Sequence, residues 1–204
     1  MAELITTFFF LFAVIDPIGS VPVYLEATKD FDPVDKRKIA IRASGIAFMI
    51  LFFFIVMGQL IFEGMDVTLH AFQISGGVIL FLFALTMIFG DGKPEKEKMR
   101  ITDYKHVTIF PVAIPSIASP GAIMAVVILT DNHIYTIQQQ ATTTVLVLLV
   151  IFLTSQILLI ANRVQKVIGD YGITVISKIM GLILASYAVQ NIMTGIKSFF
   201  MPGF

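Results

Sequence analysis

Long apolar stretches separated by short polar ones dominate the chain. Six come near the roughly 20 mostly apolar residues that a membrane helix needs: residues 4–27, 38–62, 69–90, 107–130, 142–162 and 174–200. The pattern predicts an all-α membrane protein, one transmembrane domain over residues 1–204 with six crossing helices. The longest connection, 91–106, is charged and reads as a cytoplasmic loop. The first stretch has no basic residue before Leu4 and is interrupted by Asp16. It is therefore read as a crossing and not as a signal peptide.

Composition supports the bilayer as solvent. The chain is 57% hydrophobic and 14% charged, against roughly 25% charge in ordinary soluble domains. Lys+Arg and Asp+Glu are equal at 14 each, so no basic excess points to nucleic acid. Cysteine is absent, and His70, His106 and His133 lie far apart, so no metal centre is expected. The placement of basic residues fixes an orientation. Lys29, Lys36, Arg37, Lys38 and Arg42 lie between the first and second stretches. Lys93, Lys96, Lys98, Arg100 and Lys105 lie between the third and fourth, and Arg163, Lys166 and Lys178 between the fifth and sixth. Of the 14 basic residues only Lys197 falls on the other side. Under the positive-inside rule both termini are expected outside the cytoplasm.

The third stretch reads Gly77-Val78-Ile79-Leu80 with Ala84, and the sixth reads Gly181-Leu182-Ile183-Leu184 with Ala188, a shift of 104 (77 to 181). Asp16-Pro17 aligns with Ser119-Pro120 at a shift of 103 (16 to 119). These matches divide the chain into repeats 1–92 and 106–204. Three crossings per repeat is an odd number, so the second repeat is expected to be inverted relative to the first, a plan common in secondary transporters.

Five of the eight prolines lie in the first and fourth stretches: Pro17, Pro22, Pro111, Pro115 and Pro120. Each lacks an N–H and clashes with the carbonyl four residues back. Pro17 and Pro22 are expected to release the carbonyls of Ala13 and Ile18, and Pro115 and Pro120 those of Pro111 and Ser116. With Gly19 and Gly121 beside them, both helices are expected to break near the membrane midplane. The half-helix N-termini would suit a substrate carboxylate, and the freed carbonyls an ammonium group or a coupling cation. Asp16 is the one ionisable residue deep inside a stretch, about 18 Å from its start at ~1.5 Å per residue. Such a residue is a functional candidate by default. Three roles stay open for it: capping a helix through the N–H of Ile18 or Gly19, binding a substrate ammonium or cation, or carrying a proton.

The segments DPIGSVP (16–22), IPSIASPGA (114–122) and KIMGLILASYAVQNIMTGI (178–196) resemble the MarC family of bacterial and archaeal inner-membrane proteins over essentially the whole chain. The resemblance implies six helices, outward termini, and small neutral amino acids such as glycine and alanine as substrates. Its motifs fall on Asp16, Pro17, Gly19, Pro22, Pro115, Pro120 and Gly121. Two positions depart from the family pattern: Ser20 stands where Asn is usual, and Ser119 where Gly is usual. With these two added, the expected substrate site is Asp16, Pro17, Gly19, Ser20, Pro22, Pro115, Ser119, Pro120 and Gly121.

The leading expectation is a secondary transporter of small neutral amino acids, with no cofactor and with Na+ or H+ open as coupling ion. Efflux of other metabolites or drugs, and a non-transporting scaffold, are the alternatives. Gly90-Asp91-Gly92 is similar to a motif of intramembrane aspartyl proteases, but the second membrane Asp that they need is missing. An enzyme is therefore not expected. No GxxxxGK[ST] loop is present for nucleotide binding.

Overall fold

The computed structural model describes residues 2–64, 69–89 and 104–200, and every regular element among them is helical. In order these are α1 (Ala2–Ile15), α2 (Ser20–Thr28), α3 (Pro33–Gly64), α4 (Leu69–Phe89), α5 (Tyr104–Val107), an irregular coil over Thr108–Ile117, α6 (Pro120–Leu129), α7 (Ile137–Leu159) and α8 (Ala161–Phe200). Most of the expected loop 91–106, including Lys93, Lys96, Lys98 and Arg100, lies outside the described residues, as does Gly90-Asp91-Gly92.

Among the described residues, four segments are long and apolar enough to cross a membrane: Leu4–Thr28, Pro33–Ile61, Ile137–Leu159 and Tyr171–Lys197. Tyr104–Ile117 and Pro120–Leu129 meet at 56° and add a fifth if the bent pair is one crossing. The expected third crossing, 69–90, holds Gln73–Phe89 as a shorter apolar helix. The expectation of six crossings is thus met in part.

Helix starts differ from the apolar boundaries because polar residues cap them. α3 begins before residue 38: the Asp32 carboxylate accepts the Asp35 N–H at 2.8 Å, and Pro33 takes the first helical position. α7 begins before residue 142, where Thr136 and Gln139 form a capping box. The expected loop carrying Arg163 and Lys166 is helical and belongs to α8. The break comes later, at Gly169, whose φ of 71° is in the left-handed region that glycine tolerates.

α1 sits at the centre, packed on α6, α7 and α8. Of the Leu4–Thr28 apolar window 56% is buried, against 28–33% for the other three long segments, so its interruption falls in the interior. The most extensive interface joins α4 to α8. A Cβ added at Gly77 would stand 2.9 Å from the Ala188 carbonyl oxygen, and one at Gly181 would stand 3.1 Å from that of Ala84. Positions rise along α4 as they fall along α8, so the two helices cross antiparallel here. Small residues permit such close approach of helices in lipid.

Candidate functional site

α1 ends where Pro17 can offer no N–H. Its last bond runs from the Asp16 N–H to the Phe12 carbonyl at 3.0 Å. Asp16 then adopts φ 48°, a left-handed conformation that Asp tolerates better than most residues. Its Oδ1 accepts the Gly19 N–H at 3.0 Å. Its carbonyl accepts the Ser20 N–H at 3.1 Å and lies 3.0 Å from the Ser20 Oγ. Of the three roles open for Asp16, these bonds describe the cap.

The second break follows from what proline does to its predecessor. Phe110 (φ −129°, ψ 121°), Ile114 (φ −126°, ψ 131°) and Ser119 (φ −70°, ψ 158°) are extended. Each precedes a proline, whose ring disfavours helical backbone in the residue before it. The Phe110–Pro111 and Ile114–Pro115 peptides are cis. Ser119 Oγ accepts the Ala122 N–H at 3.0 Å, and Pro120 opens α6. Ser119→Ala is expected to cost about 1 kcal/mol through the lost cap, while Ser119→Thr keeps a neutral hydroxyl acceptor there. Chemical unfolding in detergent reads the difference. The two caps correspond at the shift of 103: Asp16 with Ser119, Pro17 with Pro120, and Gly19 with Ala122. Each cap accepts the N–H three residues on.

The breaks touch. Ser20 Oγ reaches the Ser116 carbonyl at 3.3 Å, the carbonyl that Pro120 deprives of its helical partner. The Ile18 carbonyl, expected to be released by Pro22, instead accepts the Val21 N–H at 3.0 Å in a tighter turn. From α8, Ser177 Oγ donates to Asp16 Oδ2 at 3.3 Å. Asp16, Ser20, Ser116 and Ser119 are each no more than 2% exposed. Pro17, Gly19 and Gly121 are also buried, Pro115 is half-buried, and Pro22 and Pro120 are exposed. The structure therefore brings Asp16, Pro17, Gly19 and Ser20 together with Ser116 and Ser177. Pro22 and Pro120 face outward and shape the backbone. Gly121 lies against Phe83, whose Cδ1 would stand 2.7 Å from an added Cβ.

A family model described as MarC family integral membrane protein matches residues 1–200. The chain belongs to the MarC family. It is 31% identical to a UPF0056 membrane protein of Aquifex aeolicus over 95% of this chain and 92% of the relative. A UPF0056 membrane protein of Pyrococcus horikoshii is 34% identical over 98% of this chain and 99% of its own length. One from Bacillus subtilis is 33% identical over 97% and 95%. No solved structure matches. This MarC-family chain is thus a multi-pass integral membrane protein, and its bacterial and archaeal relatives imply a cell membrane.

Two partners of the MarC motifs escaped the sequence: Ser177, which holds the Asp16 carboxylate, and Phe83, which packs on Gly121. A signal for the first did exist. The shift of 104 that pairs Gly77 with Gly181 carries Gln73, a polar residue beside the first glycine pair, onto Ser177.

Proposed function

We propose that this chain is a secondary transporter of small, neutral, zwitterionic amino acids such as glycine and alanine, and not an enzyme. One contact carries the reading: the Ser20 hydroxyl bridges the break in the first crossing to the Ser116 carbonyl at the second. Interrupted backbone inside lipid is tolerated where it is enclosed by protein or borders a wet cavity. Facing broken helices are where transporters hold zwitterions and ions. The start of α6 offers N–H groups suited to a substrate carboxylate. The Asp16 carboxylate and the Ser116 carbonyl suit its ammonium.

The α4–α8 contacts support an inverted repeat. Gly77 against Ala188 and Gly181 against Ala84 are exchanged by the shift of 104. Such reciprocity is the mark of a two-fold interface. An antiparallel pair needs that axis across the helices, hence in the membrane plane. We read residues 1–92 and 106–204 as inverted three-helix halves, with both termini outside the cytoplasm. Ser177 stands beside Lys178 and six residues past Tyr171, about 9 Å along the helix at ~1.5 Å per residue. The Asp16 carboxylate then lies nearer the basic, cytoplasmic side than a count from Leu4 suggests.

Purified protein in liposomes is expected to give saturable glycine or alanine flux. Asp16→Asn and Gly121→Leu should each reduce it at least about tenfold while still inserting and running as a single species in detergent. Normal flux in both variants would remove the proposed site, and no flux with any amino acid would remove the substrate. Burial of Asp16, Ser20, Ser116 and Ser119 favours one second reading, a scaffold whose breaks stay packed. The groove of about 790 Å3 that runs along α3 from Arg42 to Phe54 is lined by none of them. A scaffold gives no flux in either direction, and an exporter gives flux that the opposite gradient drives.

A further inference from the structure

The oxygens around Asp16 include the two that the amino acid reading offers to a substrate ammonium, the Asp16 carboxylate and the Ser116 carbonyl, so a metal cation and that ammonium would compete for them. Three parts of the chain contribute. The link after α1 supplies the Asp16 carboxylate and carbonyl and the Ser20 hydroxyl, the 108–117 coil supplies the Ser116 carbonyl, and α8 supplies the Ser177 hydroxyl. The Asp16 carbonyl also accepts the Ser20 N–H, while the Ser116 carbonyl is the one that Pro120 deprives of its helical partner. The side chains of Asp16, Ser20 and Ser177 are 2%, 1% and 8% exposed. None of the ion pairs among the described residues includes Asp16. The Gly19 N–H and the Ser177 hydroxyl donate to the Asp16 carboxylate, but a buried charge without a positive partner is still costly.

We propose that these oxygens bind a sodium ion. Carboxylate, carbonyl and hydroxyl oxygens are hard donors, the kind that alkali and alkaline-earth ions select. One formal charge matches a monovalent ion. Neighbouring oxygens in the set stand 3.0–3.3 Å apart. Such close spacing favours the smaller Na+ over K+. Unwound carbonyls and half-helix C-terminal ends are what coordinate Na+ in transporters built on broken helices. The binding stands on the oxygens alone. Coupling of that ion to flux rests on the transporter reading above.

The test uses the full chain in detergent with no amino acid present, its thermal unfolding followed in NaCl, KCl and choline chloride at equal ionic strength. The midpoint is expected to rise with Na+ in a saturable way and not with K+ or choline, since an ion that binds only the folded state stabilises it. Asp16→Asn, which keeps an oxygen to cap Gly19, should abolish the Na+ response. Ser177→Ala, which leaves the cap untouched, should raise the half-saturating Na+ concentration about tenfold. An equal response to all three salts, or none, overturns the proposal, and so does a Na+ response that survives Asp16→Asn. Flux in liposomes separates the two readings. A Na+-specific midpoint shift without amino acid flux supports the ion site and removes the amino acid reading. Flux that ignores Na+, with no midpoint shift, does the reverse.

Discussion

Gly19→Ala is expected to destabilise the protein by about 1–3 kcal/mol, the usual cost of overpacking a filled interior. The sign is what makes the result informative. Gly19 has ordinary helical backbone angles, φ −67° and ψ −14°. At such a position alanine normally gains about 0.5–1 kcal/mol over glycine by restricting the unfolded chain. Here the added Cβ would land on the Asp16 carboxylate and 2.6 Å from Ser177 Oγ. The carboxylate cannot simply swing aside, because the same movement gives up its bonds to the Gly19 N–H and to Ser177. With the carboxylate removed only Ser177 Oγ stays close, and that hydroxyl is free to rotate away once it has no carboxylate to donate to. In an Asp16→Ala background, Gly19→Ala is expected to be neutral or stabilising, and the double-mutant cycle isolates the pair. Chemical unfolding of the four proteins in detergent measures it. A stabilising Gly19→Ala in the parent protein would mean that the carboxylate does not lie over the glycine.

That glycine also shows how far local reading of the chain reaches. An acceptor side chain followed by proline marks a helix start at Asp32-Pro33 and Ser119-Pro120, and the turn that leads into α2 at Asp16-Pro17. Each time the side chain accepts the N–H three residues on. Both ingredients are adjacent in sequence, so the sites of the breaks were legible. Proline also told which carbonyls lose their partner, but not what replaces it. Ile18 is served by Val21 within its own turn, whereas Ser116 is served by Ser20 from the other break. The first replacement is local geometry and the second is tertiary. Ser177 is the extreme case, 161 residues from Asp16. A single hydroxyl on an apolar helix leaves no periodic trace of what it faces. Helix lengths failed for a different reason: apolar windows end where lipid should end, while caps such as Thr136 carry the helix further into water.

The second large effect is expected where α4 crosses α8. Gly77→Ala sets a Cβ 2.6 Å from Ile192 Cγ1, 2.9 Å from the Ala188 carbonyl and 3.1 Å from the Ile192 backbone nitrogen. Two of these neighbours are backbone, so α8 must move as a body. Gly181→Ala sets a Cβ 2.9 Å from Met87 Cβ and 3.1 Å from the Ala84 carbonyl, a slightly looser fit. Both substitutions should destabilise, Gly77→Ala by about 1–3 kcal/mol and Gly181→Ala toward the lower end of that range. Gly45, with nothing within 4 Å of an added Cβ, provides the control. Gly45→Ala on the same assay should be neutral or stabilising by up to about 1 kcal/mol. The double variant carries the argument further. The two glycines lie on one interface and press on each other's helix, so separating the helices once relieves both clashes. Gly77→Ala with Gly181→Ala should then cost less than the two single losses together, with a coupling of about 0.5 kcal/mol or more. Two glycines that served unrelated contacts would give additive losses. Since the same reciprocity supports the proposed inverted repeat, simple additivity in unfolding experiments would count against the two-fold relation as well as against the shared interface.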